Sequence, residues 1–329
     1  MRGRRRRTAV GAEGGVSASG ARRATEETFL AAFSTFLRVD VANGDAAADT
    51  LRGYRTQVGV WVRWCQKQGL SPARATTADV KGYRQALVSE AYKPASIAHK
   101  LTVLRRFYQA AVYAGLRADN PVSGVRPPRN KQALEDLRYL SEGELTRLLR
   151  TVPQTTAVKA LRDRALLAVL GLHGLRAVEI QRANVEDLKA DETPALLVRG
   201  KNRDRVVYLR PDVAQALVAF LQARGPVPPD RAGTPLFTAV GNRAGGRRLS
   251  RRGCRHVVDS YLRQAALKRP GVSNHALRHT AATLAYKHTR DLRAVQEMLG
   301  HTDPKTTGRY AHVVDRAQNN PAVAVPVHL

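Results

Sequence analysis

Six residues in the last two-thirds of the chain, Arg176, Lys201, His275, Arg278, His301 and Tyr310, are of types suited to one reaction. Five carry or donate positive charge or a proton, and the tyrosine offers an oxygen nucleophile. No acidic cluster stands beside them in the sequence to hold a magnesium ion. Such a set suits attack on a phosphodiester, with protein cations in place of a metal. A tyrosine hydroxyl that attacks phosphorus expels the neighbouring sugar oxygen. The bond energy stays in a phosphotyrosine, so the step is reversible and needs no ATP. A phenol of pKa ~10 is only about one part in a thousand ionised at pH 7. A base must therefore help it, the non-bridging oxygens must be steadied, and the leaving oxygen needs a proton.

The local strings sharpen this. Arg176 lies in GLHGLRAVEI (171–180), three residues before Glu179, a same-face spacing that lets Glu179 orient it. Arg278 sits inside HALRHTAAT on a helix whose other face is apolar, and a partly buried arginine needs an acceptor. A guanidinium offers paired donors that match phosphate oxygens. His275, Arg278 and His279 stand at i, i+3 and i+4 and share a helix face. The HxxxH spacing of His275 and His279 also admits a metal, but the glutamate of HExxH is absent, since Ala276 follows His275. His279 reads as a supporting or structural residue. Lys201 opens the polar turn GKNRD between two β-rich runs and is the only lysine in that hairpin. It has the reach and the tunable pKa of an acid for the leaving oxygen. His301 ends LGH, and Tyr310 follows nine residues on, just after a polar turn.

The bulk composition points to a nucleic acid. The chain has 329 residues, enough for two domains, and 55 Lys+Arg against 27 Asp+Glu give a net charge of +28. Each phosphate that such a field neutralises releases condensed counterions. Two cysteines, Cys65 and Cys254, are too few and too far apart for a disulfide framework or zinc module, which fits a reducing cytoplasm. No apolar run reaches the length of a membrane span, and the basic start RGRRRR precedes a stretch too polar for a signal peptide. No triad, Walker loop or glycine-rich nucleotide fingerprint is present, so neither cofactor nor metal is implied.

Residues 1–24, with seven arginines and almost no large apolar residue, read as a disordered basic arm. Residues 25–118 read as four or five bundled helices from their three- and four-residue apolar spacing. Trp61 and Trp64 belong to the core face, and Arg52, Arg55, Arg63, Lys93, Lys100, Arg105 and Arg106 to the polar faces, some of them toward DNA. Thr77 or Asp79 is expected to cap the third helix. Residues 119–137, with Pro121, Pro127 and Pro128, form the expected linker. Residues 138–315 form the second domain, opened by the capping box Ser141–Glu144. PALLVRG and RVVYLR predict a hairpin or small three-stranded sheet within it. Residues 316–329 are a tail with little helical pattern. The fold class is thus mainly α, a helical bundle followed by a mixed, mostly α domain with a small antiparallel sheet.

The four strings GLHGLRAVEI, VRGKNRDRVVYL, NHALRHTAATLAYKH and VQEMLGHTDPKTTGRYAHV resemble, in order and content, the tyrosine recombinases, the phage integrases and Xer-like enzymes. The resemblance spans nearly all of residues 26–315, and HxLRH followed by LGH and a tyrosine nine residues on is its most specific part. It implies conservative, site-specific strand exchange on double-stranded DNA through a 3′-phosphotyrosyl intermediate, for integration, excision or dimer resolution. It implies Tyr310 as nucleophile, Arg176 and Arg278 on the scissile phosphate, His275 on phosphate or as proton acceptor, and His301 on a non-bridging oxygen. It further implies an N-terminal DNA-binding domain and a catalytic domain closing as a clamp, four protomers on two duplexes, and a cytoplasmic, nucleoid-associated enzyme. A partner recombinase or accessory protein would fit as well. Two departures stand out: the Lys201 turn is one residue shorter than the form common in the family, and Val178 takes a position often held by serine. A type IB topoisomerase or a non-catalytic DNA-binding protein are the competing readings.

Overall fold

A computed structural model describes residues 18–41, 48–129, 137–200, 204–241 and 245–318. The chain divides into two compact units, residues 1–131 and 132–329, and the division falls within the proline-bearing stretch.

The first unit carries α1 (Ala18–Val39), α2 (Ala48–Lys67), α3 (Thr77–Ser89) and α4 (Pro94–Tyr113). Phe29, Phe33 and Leu37 recur at helical spacing along α1, and they pack with Trp61, Val80, Leu101, Leu104 and Phe107. Tyr108 closes this core: its hydroxyl accepts from Trp61 Nε1 (3.0 Å) and donates to the Pro72 carbonyl (2.8 Å), so both buried polar tips are satisfied. Trp64 stacks on Trp61 with ring centroids 5.3 Å apart. The helix cap differs from expectation by one residue. Thr76 is the N-cap of α3, and Asp79 completes a capping box with it. Two of the basic residues expected on polar faces belong to the fold. Lys100 is buried, with Nζ donating to Gln57 (2.8 Å) and lying over the Tyr92 ring. Arg105 donates to the Val125 carbonyl (3.3 Å) and so ties α4 to the segment after it. The helix α1 begins at Ala18, inside the stretch read as a disordered arm.

The second unit holds α5 (Glu142–Arg150), α6 (Val158–Gly171), α7 (Ala177–Arg182), α8 (Pro211–Arg224), α9 (Arg251–Gln264), α10 (Asn274–Thr289), α11 (Leu292–Leu299) and α12 (Pro304–Gln318). Ser141 and Glu144 form the expected capping box at α5. α6 is nearly all buried and forms the spine of the larger core with Leu217, Phe220, Val258 and Leu262. The strands β1 (Leu188–Lys189), β2 (Ala195–Val198) and β3 (Arg205–Tyr208) form one antiparallel sheet in sequence order. Leu196 pairs with Val207 and Val198 with Arg205. Leu196, Val198 and Val207 face the core, while Leu197, Val206 and Tyr208 are exposed, the period-2 alternation of a one-sided sheet. A separate small core joins α10, α11 and α12 through Tyr286, Val295, Leu299, Tyr310 and Val314. No described helix is long and apolar enough to cross a membrane.

Candidate active site

Three local devices build the site. The first is the turn between α6 and α7. Gly174 takes a left-handed conformation (φ +66°), and a Cβ there would lie 2.8 Å from Leu299 Cδ2. The turn aims the Gly174 carbonyl at Arg278 and delivers Arg176 to the start of α7. Glu179, three residues on, accepts from the Arg176 backbone N–H (2.8 Å) and from Arg176 Nη1 (3.0 Å). The expected orienting contact is therefore present.

The second device is the face of α10. Arg278 is only 4% exposed. Its two terminal nitrogens donate to the carbonyls of Gly174 (2.6 Å) and Leu299 (2.7 Å). The Leu299 carbonyl is one of the orphan acceptors at the end of α11, so Arg278 also caps that helix. His275 lies in the first turn of α10 and is exposed, and His279 lies one turn further on.

The third device is the end of α11 and the start of α12. Gly300 terminates α11 in a left-handed conformation (φ +65°). A Cβ at Gly300 would sit 2.7 Å from Arg205 Cδ, so only glycine lets the β3 arginine pass over this turn. His301 follows, with Nδ1 2.9 Å from the hydroxyl of Thr307, which is fully buried. Pro304 opens α12, a position where its missing N–H costs nothing. Tyr310 therefore lies inside a helix rather than just after a turn, and it is 1% exposed. Its hydroxyl is 3.0 Å from His279 Nδ1, and its ring lies nearly parallel to that of His301, with centroids 6.4 Å apart.

The electrostatics are those of a cation surplus. Glu179 is 2% exposed and is shared by Arg176 and Arg205, the latter donating to both its oxygens (2.9 and 3.2 Å). Burial raises the Glu179 pKa, but Arg205 and Arg176 outweigh it and hold the carboxyl below its usual value. One carboxylate thus pairs two guanidiniums, with the Arg278 guanidinium also in its field. Burial and the Arg176 charge bring Arg278 down to about 10. Burial, Arg278 and Arg176 depress His301 to about 4, and the same causes lower His275. Burial raises the Tyr310 phenol, while Arg278, Arg309 and Arg176 pull against that rise. Arg205 Nε is buried without a partner among the described residues, a further donor in excess. Such a surplus in a low-dielectric pocket favours an anion.

Of the expected set, Arg176, His275, Arg278, His301 and Tyr310 converge, with Glu179 and His279 among them. Lys201 lies outside the described residues. Arg205 was missed by the sequence reading, although its register gave a signal. It shares the inward face of β3 with Val207, and a charge pointing inward needs a buried partner.

Residues 138–316 match the Phage integrase family, and residues 30–115 match the family described as Phage integrase, N-terminal SAM-like domain. The tyrosine recombinase XerD of Brucella suis is 30% identical over 293 residues, covering 86% of this chain and 93% of that protein. Among solved structures, the XerH site-specific recombinase bound to a palindromic difH substrate covers 92% of this chain and 89% of its own, with a TM-score of 0.70 at 19% identity. A lambda integrase tetramer bound to a Holliday junction covers 88% of this chain and 80% of its own, with a TM-score of 0.61 at 16% identity. The chain belongs to the phage integrase family and is a tyrosine site-specific recombinase.

Proposed function

We propose that Tyr310 is the nucleophile that cuts and rejoins double-stranded DNA at a specific site through a 3′-phosphotyrosyl bond, without metal or ATP. The observation that carries this reading is a buried tyrosine hydroxyl in the field of Arg278, Arg309 and Arg176, beside a carboxylate already shared by Arg176 and Arg205. Arg176 and Arg278 hold the non-bridging oxygens of the scissile phosphate. Arg278 is locked by two carbonyls, so its position is fixed before DNA arrives, which is how preorganised donors stabilise a transition state. His301, held by Thr307 through Nδ1, has Nε2 for a phosphate oxygen. His275, exposed on the same face of α10 as Arg278, approaches the phosphate from the solvent side. Lys201 protonates the leaving 5′ oxygen.

At the level of the whole chain, residues 25–118 grip the duplex, residues 119–137 link, and residues 138–315 do the chemistry. Four protomers act on two duplexes in the cytoplasm, associated with the nucleoid, with or without a partner recombinase. The net charge of +28 supports the DNA partner.

Covalent trapping tests the reading. Wild type and Tyr310→Phe are expressed in bacterial cells and denatured, and the ends of protein-linked DNA are sequenced. Wild-type ends should cluster at one short, partly palindromic sequence, and the phenylalanine variant should yield none. Scattered wild-type ends would favour a topoisomerase, and no covalent DNA from wild type would favour a binding protein.

A further inference from the structure

The proposed reaction needs a group that takes the proton of Tyr310, and three histidines stand near it. Only one touches the hydroxyl. His301 stacks alongside the ring, and its Nδ1 is committed to Thr307. His275, in the first turn of α10, is exposed and makes no hydrogen bond to the hydroxyl among the described contacts. His279, one turn further into the helix, brings Nδ1 to 3.0 Å from the hydroxyl oxygen, with the two rings tilted by 50° and their centroids 5.9 Å apart. Among the described residues it is the hydroxyl's one hydrogen-bond partner.

We propose that His279 is a catalytic residue: its Nδ1 accepts the Tyr310 proton as the phenol oxygen attacks phosphorus, and returns it on rejoining. The assignment rests on Tyr310 being the nucleophile, and it moves the proton-accepting role from His275 to His279. The bond from the phenol oxygen to phosphorus forms and the bond from phosphorus to the 5′ oxygen breaks. The phenol proton moves to Nδ1, and the leaving oxygen takes its proton from a separate acid, Lys201 in the reading above. Rejoining reverses each transfer.

The surroundings make this a conditional base. Arg309 and Tyr310 of α12, His275 and Arg278 of α10, and His301 beyond α11 all face or lie close to His279. Burial, then Arg309, His275 and Arg278, hold it at about 4, so the imidazole is neutral at pH 7. With its own proton on Nε2, Nδ1 is the acceptor that the phenol requires. Because the Tyr310 phenol is raised and the His279 imidazole lowered, the proton stays on oxygen in the free protein. A bound phosphodiester brings negative charge onto Arg278, one of the two arginines that depress His279. The depression eases when the substrate is in place, and the nucleophile is activated there and not before.

The test uses the full chain and a duplex carrying the site recovered by covalent trapping, under single-turnover conditions, with His279→Asn as the variant. The asparagine oxygen takes the place of Nδ1 and accepts the hydroxyl hydrogen bond but cannot take its proton. Cleavage should fall about 100-fold, the ordinary weight of a general base. The loss should persist when the leaving 5′ oxygen is replaced by sulfur, which departs without an acid. Between about pH 6 and 9 the variant's rate should climb as free phenolate becomes available, while the wild-type rate stays flat. Cleavage by the variant within a few-fold of wild type would overturn the assignment. So would recovery on the sulfur substrate, which would place His279 behind the acid, and so would lost DNA binding, which would make its role structural. A wild type that forms no covalent complex on the same duplex sinks the nucleophile itself and takes this assignment with it.

Discussion

Tyr261 and Tyr310 are both buried phenols of the C-terminal unit, 4% and 1% exposed, and each donates or can donate one hydrogen bond to a neighbouring side chain. The company they keep is opposite. Tyr261 donates to Asp163 (3.0 Å), whose other oxygen is held by Arg162 at 2.6 and 2.8 Å. Burial and that carboxylate push the Tyr261 phenol up to about 12. Tyr310 lies instead 3.0 Å from a neutral imidazole, and its charged neighbours are arginines that favour phenolate. In the Tyr261 cluster one buried cation meets one buried anion, and the added Lys159 is mostly solvent-exposed. In the Tyr310 cluster two guanidiniums share one carboxylate and a third, Arg278, bonds only backbone carbonyls. A closed charge balance holds a fold together, whereas an open one awaits an anion.

The contrast breaks most sharply at the two buried arginines. Arg278→Lys keeps the charge but loses the paired donation and leaves the Gly174 or Leu299 carbonyl unmatched. Single-turnover cleavage should fall about 10²–10³-fold, the weight of one preorganised donor. Near-normal cleavage would remove Arg278 from the site. Arg162→Met should do the reverse. It strips Asp163 of its buried partner and should cost about 3–5 kcal/mol of stability by denaturant titration. The fraction that remains folded should cleave normally, and impaired cleavage per folded molecule would mean that the two clusters are coupled.

The same logic separates the tyrosines. Tyr310→Phe should leave no covalent DNA at all. Tyr261→Phe removes one donor from a buried carboxylate, at a cost of about 1.5–3 kcal/mol, and should leave the yield of covalent complex unchanged. A cleavage defect in Tyr261→Phe, measured below its unfolding midpoint, would show that burial and not charge balance distinguishes the pair.

How much of this was legible beforehand depends on the range of the contact concerned. Glu179 was read as the partner of Arg176 because the pair is local, three residues apart on one face, and the structure has that bond. The capping box at Ser141 was equally local. Arg205 was overlooked because an arginine at the start of a short strand, directly after the polar turn, reads as solvent-facing, and its partner Glu179 lies 26 residues away. Lys100 was read as surface for the same reason, since nothing in its helix announces Gln57 as a partner 43 residues back. The acceptors of Arg278 are backbone carbonyls, which leave no trace in residue identity. The start of α1 at Ala18 was hidden by a run of small residues that carries no apolar period.

The finest test of the comparison lies at Gly300, where the open cluster touches its support. Its left-handed conformation costs an alanine about 1 kcal/mol, as at other glycine helix ends. The added Cβ would also meet the Arg205 side chain 2.7 Å away. That side chain must shift, and it holds both oxygens of Glu179, which in turn holds Arg176. Gly300→Ala should therefore lower stability by only about 1–2 kcal/mol yet slow cleavage by about tenfold, the cost of a small misplacement in a preorganised site. Adding Arg205→Ala removes the clash and the tether together. If the tether sets the position of Arg176, the double variant should be no faster than Gly300→Ala, and the loss of a partner for buried Glu179 should make it less stable. A double variant that regains full cleavage would show that Arg205 merely crowds the turn and that Glu179 positions Arg176 unaided.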